Sequence, residues 1–125
     1  MTNHPAVTAA AQAAHARRAF LDELRATAPE ALVFRGLRVE LGKCTPAMRD
    51  TLLAYNSPDL EGSNPLAAIE DAEAKHVDRA ATELTVTMLA EGRDDEAIED
   101  ALASLREHLA EHFRQRKLNR LYEGR

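Results

Sequence analysis

The sequence predicts a mainly α-helical protein with a long antiparallel helical hairpin and at most one short β-strand. Apolar residues recur at helical spacing over most of the chain, and polar caps with first-turn prolines precede several of these stretches. Only residues 32–41 alternate with the two-residue period of a strand. Because 125 residues suit one domain, we expect 1–125 to form a single helical domain.

The first predicted element is an N-terminal helix within residues 1–29. Asn3 can cap its first turn, where Pro5 is tolerated, and Pro29 ends it because the residue before a proline avoids helical dihedrals. One face is rich in alanine at its start and in leucine at its end. It comprises Val7, Ala10, Ala14, Arg17, Leu21 and Leu24.

Residues 32–41 are predicted to be extended. Read as one continuous strand, the segment places two sets of side chains on opposite sides. One side carries Val33, Arg35, Leu37, Val39 and Leu41, and the other carries Phe34, Gly36, Arg38 and Glu40. The sequence offers no convincing second strand, so we expect either an extended connector or a strand that pairs with a partner's strand.

A short helix over residues 46–55 and a helical hairpin over residues 65–122 complete the prediction. Thr45-Pro46 and Asn64-Pro65 each combine a capping residue with a first-turn proline. Gly92 is placed to end the first hairpin helix in a left-handed conformation, and Asp94 or Asp95 is placed to cap the second. Since this connection is very short, the two helices are expected to fold back antiparallel.

The predicted hairpin carries one apolar stripe on each helix. The first stripe comprises Ile69, Glu73, His76, Val77, Ala80, Leu84 and Met88. The second comprises Ile98, Leu102, Leu105, Leu109, His112 and Phe113. Helices of this length are long for so short a chain, so we expect the hairpin either to project or to be covered by another chain that completes part of the stripe.

Charge is distributed unevenly along a chain of net charge −5. Residues 57–111 carry 4 basic and 15 acidic side chains, whereas residues 112–125 carry 5 basic and 1 acidic. The overall sign argues against direct nucleic-acid binding. The acidic part is compatible with an inhibitor that imitates a nucleic-acid backbone, with a surface that meets another subunit's basic tail, or with simple complementarity to the helix dipole.

No motif in the sequence specifies an enzymatic chemistry, and we expect neither catalysis nor a cofactor. The glycines are scattered, no serine lies in a nucleophile elbow, and Cys44, which has no histidine nearby in sequence, is expected to be a small buried thiol. A weak alternative is a metal site, because histidines four apart share a helix face and carboxylate-x-x-histidine spacing occurs in metal-binding bundles. Its candidate ligands are Glu73, His76, His108 and His112.

The leading hypothesis is a non-enzymatic protein-interaction or assembly factor, an adaptor or structural component that forms homo-oligomers or joins a larger complex. Its outline suits a viral or bacterial assembly protein. Its single cysteine and the absence of a membrane-spanning apolar stretch favour a cytoplasmic location, or an intracellular one in a host. The basic C-terminal segment is expected either to dock on protein or to fray. The expected partner-binding residues are Leu37, Val39, Leu41, Leu118, Leu121 and Tyr122.

Overall fold

The computed structural model describes residues 5–57, Leu60 and 62–124, and in this part of the chain it is mainly α-helical, as predicted. It contains four α-helices, two short strands and a 3₁₀ turn. These are α1 (Pro5–Thr27), β1 (Ala31–Phe34), β2 (Leu37–Glu40), the 3₁₀ turn (Leu41–Lys43), α2 (Pro46–Tyr55), α3 (Ala67–Ala90) and α4 (Asp95–Glu123). They form two compact units: unit 1 holds the chain up to Asn64 with Tyr122–Gly124, and unit 2 holds Pro65–Leu121.

Helix α1 has little covered surface in its first half. Every side chain from Thr8 to Ala19 is exposed, because alanine offers too little apolar surface to hold this stretch against a neighbour. Phe20, Leu21 and Leu24 are half-buried, and the helix ends at Thr27, two residues before Pro29. The predicted cap Asn3 lies outside the described residues. The leucine-rich end of α1 is therefore the part that packs.

The prediction of at most one strand is wrong, because residues 31–40 form an antiparallel hairpin of two strands. Phe34 pairs with Leu37 and Leu32 pairs with Val39 across a two-residue turn. Arg35 has φ 48° and Gly36 has φ 81°, the left-handed pair that a type I′ turn needs. The sequence interpretation assumed one continuous strand.

The turn also reverses which residues share a face. Directly opposite residues of an antiparallel pair lie on the same side of the sheet, so Leu32, Phe34, Leu37 and Val39 form one face. Phe34 and Val39 are at most 1% exposed, whereas Val33 on the other face is 69% exposed. A continuous strand would instead have placed Val33 together with Val39.

Unit 1 has its own apolar core, formed by the sheet face and helix α2. Thr45 caps α2 as predicted, its Oγ1 accepting a hydrogen bond from the Met48 amide at 3.2 Å. The Phe34 and Tyr55 rings meet edge to face with centroids 5.0 Å apart. The buried side chains of this unit are Phe34, Leu37, Val39, Leu41, Met48, Leu52, Leu53 and Ser57.

Unit 2 consists mainly of α3 and α4, whose facing ends are capped. Gly92 has φ 76° and ends α3 as predicted: its amide donates to the Leu89 carbonyl, and the Arg93 amide donates to the Met88 carbonyl. These two bonds form a Schellman motif. Asp94 caps α4 by accepting from the Ala97 amide at 2.9 Å. Helix α3 begins at Ala67 rather than at Pro65, because Pro65 and Leu66 form a turn before it.

Within the described residues, no helix combines the length and the apolar character needed to cross a bilayer.

We predict that Gly36→Ala lowers the free energy of unfolding by about 1 kcal/mol, because an L side chain is strained at positive φ. A Cβ at this position would meet no atom within 4 Å, so the loss of stability would come from backbone strain and not from a steric clash. Urea denaturation followed by circular dichroism measures it. Gly42→Ala is the matched control, since its Cβ also meets nothing within 4 Å and its φ is not positive. Equal stability of the two variants would contradict the prediction.

Candidate functional site

Three of the expected partner-binding residues lie in the core of the chain itself. Leu37, Val39 and Leu41 are 9%, 0% and 3% exposed, and β2 forms its hydrogen-bonded ladder with β1. The sheet therefore supplies within one chain the pairing that a lone strand would have needed from another. Partner contact at these three residues stays a prediction, and it would require surface that this chain already covers.

The expected C-terminal docking residues also contact their own chain. Leu121 is buried and Leu118 is half-buried. The Tyr122 hydroxyl accepts a hydrogen bond from the Glu40 amide at 3.1 Å, and Lys43 Nζ lies 5.8 Å from the centre of the Tyr122 ring. These contacts place Tyr122 beside the last residue of β2 and the 3₁₀ turn, all within unit 1. Binding of a partner by Leu118, Leu121 and Tyr122 stays a prediction.

The four candidate metal ligands have other neighbours. Glu73 forms an ion pair with Lys117 at 2.5 Å, and the His76 and His112 rings each meet Phe113 edge to face, with centroids 5.9 and 5.2 Å apart. His108 is exposed. In the part of the chain that the structure describes, no three His, Cys, Asp or Glu side chains come together as a metal ion would require.

Cys44 has the surroundings of a structural thiol. It is half-buried, and its Sγ lies 3.7 Å from the Glu40 carbonyl oxygen, to which the thiol donates. Burial raises the pKa of Cys44, and the nearby Arg49 charge opposes this only in part. Since the thiolate is the reactive form, Cys44 is a poor nucleophile at neutral pH.

Helix α3 carries the largest uncovered apolar side chains of unit 2. None of its 24 residues is buried, and its predicted stripe is half-buried at Ile69, Val77, Leu84 and Met88. Val86 and Leu89 are 60% and 57% exposed, and their three-residue spacing places them on one side of the helix. We call Val86 and Leu89 the α3 patch.

The α3 patch extends towards α4. Val86 lines a shallow depression of about 240 Å³ together with Thr82 and Thr85 of α3 and Leu102 and Arg106 of α4. Sequence reasoning missed the patch because it followed a single stripe along α3. The available signal was two large apolar residues, three positions apart, that the stripe did not include. The patch is the strongest candidate for an interaction surface in this unit.

A second feature that sequence reasoning missed is a bidentate ion pair between Arg25 of α1 and Asp50 of α2. Arg25 Nε donates to Asp50 Oδ1 at 2.9 Å and Nη2 donates to Oδ2 at 2.6 Å, while Nη1 donates to Asp22 at 2.5 Å. The hydrogen bond from Arg25 holds the pKa of Asp50 below its ordinary value, and Asp50 in turn raises the pKa of Arg25. The pair joins the packed end of α1 to α2.

We predict that Asp50→Asn lowers the urea midpoint moderately at pH 7 and that its effect fades in acid. Because the folded state lowers the pKa of Asp50, this carboxylate contributes stability at neutral pH and loses it as the pH falls below about 4. Urea titrations of both proteins between pH 7 and pH 3 measure the difference. Asp22→Asn is the control, because this more exposed carboxylate meets Arg25 within one helix and should matter less. A wild-type advantage that grew in acid would refute the prediction.

Comparison of the chain with protein-family models, curated protein sequences and solved structures gives no significant match.

Proposed function

We propose that this protein is a non-enzymatic assembly component that associates with further copies of itself through the α3 patch. The observation that carries the proposal is the exposure of Val86 and Leu89 on a 24-residue helix in which no residue is fully buried. A helix with such a half-covered apolar surface gains stability when another chain covers it.

The proposal includes the antiparallel hairpin expected from the sequence. Its support is the four-residue connection 91–94 between α3 and α4, with the Schellman motif at Gly92. Further support comes from the far end, where Glu73 pairs with Lys117 and the His76 ring meets Phe113. A rigid hairpin would hold the α3 patch in a fixed orientation, which lowers the entropic cost of binding.

The dimensions of α3 are adequate for a specific contact. At 1.5 Å per residue its 24 residues extend for about 36 Å. Covering one Val or Leu side chain stabilises a complex by roughly 1.5–3 kcal/mol, whereas a stable interface covers about 800 Å² on each partner. The contact must therefore extend beyond Val86 and Leu89 onto half-buried residues such as Leu102, which lines the same depression as Val86.

We predict that the double variant Val86→Asp, Leu89→Asp reduces the mass in solution to that of a single chain. Light scattering behind a sizing column measures the mass, and the wild type should be a defined multiple of one chain. Two carboxylates placed in an apolar contact would each lose hydration without gaining a partner. Helical content should stay unchanged, because both positions are exposed.

Thr87→Asp, Ala90→Asp is the matched control. It adds the same charge at the same spacing on the same helix, at two exposed positions that carry no large apolar side chain. It should keep the wild-type mass. A monomeric wild type, or equal dissociation by both double variants, would overturn the proposal.

A second candidate function is inhibition of a basic nucleic-acid-binding protein through the acidic start of α4. Its support is that Asp95, Glu96, Glu99 and Asp100 are all exposed. Like-charge neighbours four residues apart cost helix stability, and a basic partner would relieve that cost. Binding to such a protein should weaken steeply between about 0.05 and 0.5 M salt, since screening acts on exposed charges. Salt-independent binding would exclude this candidate.

A further inference from the structure

A cavity of about 480 Å³ lies in unit 1, between the α1–β1 connection, β2, the 3₁₀ turn and α2. Its lining contains four cationic side chains and two acidic ones, although the chain as a whole carries a net charge of −5. These residues are Arg25, Arg38, Lys43 and Arg49, with Glu30 and Glu40. The volume falls within the range of small-molecule sites.

Arg49 distinguishes this cavity from an ordinary basic surface. Two of the other cations have carboxylate partners: Arg25 binds Asp50, and Lys43 binds Glu40 at 2.6 Å. The Nε–H of Arg49, by contrast, is buried and has no hydrogen-bond acceptor among the described residues. Buried donors are nearly always paired, because an unpaired one has lost its water without replacement. The Arg49 Nε–H is therefore a buried donor that the described residues leave unpaired.

The chemistry of the lining indicates which kind of acceptor would pair with the Arg49 Nε–H. A guanidinium group presents its N–H donors as a planar fork that matches the oxygens of a carboxylate or a phosphate. Arg49 is itself one of the residues that line the cavity. Pro29, Ala31 and Leu41 add apolar surface to the same lining, where an organic group would pack.

We propose that this cavity binds a small organic oxyanion, with Arg49 as the principal ligand-binding residue. The carboxylate or phosphate end lies against Arg49 and Arg38, and the organic part lies against the apolar lining. This site is in unit 1 and does not depend on the assembly proposed for α3.

The first test follows the Arg49 Nε–H resonance of the full-length protein by ¹H–¹⁵N NMR during titration with phenyl phosphate, benzoate and inorganic phosphate, at constant ionic strength. The resonance should shift saturably, and either phenyl phosphate or benzoate should bind at least fivefold more tightly than inorganic phosphate. The tighter of the two aromatic ligands identifies the anionic group. No saturable shift with any probe, or no advantage of the aromatic ligands, would overturn the proposal.

Substitutions provide the second test. Arg49→Gln should weaken binding of the tighter aromatic ligand at least tenfold. Arg38→Gln should weaken it at least threefold, and because the Arg38 side chain is exposed, its removal does not endanger folding. Arg79→Gln, which removes an exposed arginine from α3, is the control and should leave the affinity unchanged. Wild-type affinity in Arg38→Gln and in a folded Arg49→Gln would show that neither side chain binds the anion, and it would overturn the proposal. An equal loss in Arg79→Gln would show that only overall charge attracts the anion, and it would overturn the proposal as well.

Discussion

The core of unit 1 depends on the two-residue turn at Arg35 and Gly36. With both residues at positive φ, β2 returns directly onto β1, and the turn brings Phe34 opposite Leu37 and Leu32 opposite Val39. One sheet face then supplies apolar side chains to α2, while Val33 faces outwards. A turn one residue longer would shift the register and separate these residues, because the side-chain period of a strand is two. The short turn thus determines which few large side chains can meet.

The pairing set by this turn matters because the chain is poor in large apolar residues. Leu, Ile, Val and Phe contribute 26 of 125 residues, whereas alanine contributes 24. Unit 1 concentrates its share around Phe34, Val39 and Leu52, each at most 1% exposed. Unit 2 spreads its share along two long helices: α4 buries Ile98, Leu109, Phe113 and Leu121, whereas no residue of α3 is fully buried. The proposal of an assembly contact in unit 2 rests on this contrast.

At three helix ends, local signals in the sequence predicted the cap that the structure shows. The Thr45 cap, the Asp94 cap and the left-handed Gly92 each act over a few residues, and each is found as predicted. The hairpin turn is also local, but its first residue is Arg35, for which positive φ is uncommon, so Arg35-Gly36 does not stand out as a turn within the alternating run. A single alternating run and two paired strands are hard to distinguish when the turn is this short.

Contacts between distant parts of the chain had no such signal. Arg25 and Asp50 are 25 residues apart, and Glu40 and Tyr122 are 82 apart, so neither pair appears as a pattern at fixed spacing. Tyr122 is predicted as a partner-binding residue from its apolar character alone. That character predicts that the side chain packs against protein, but it does not predict which chain supplies the contact. The same holds for Arg49, whose sequence neighbours do not reveal that its Nε lacks an acceptor.

The two candidate surfaces differ in the physical reason for which each would bind. The α3 patch exposes apolar area whose removal from water is favourable against any complementary apolar surface, so shape alone would select its partner. The cavity beside Arg49 instead holds a buried donor, and a buried donor is relieved only by an acceptor placed within hydrogen-bond distance. The first surface would therefore tolerate conservative apolar substitutions, whereas the second would depend on the guanidinium groups of Arg49 and Arg38. This difference would make the cavity the more selective of the two candidate sites.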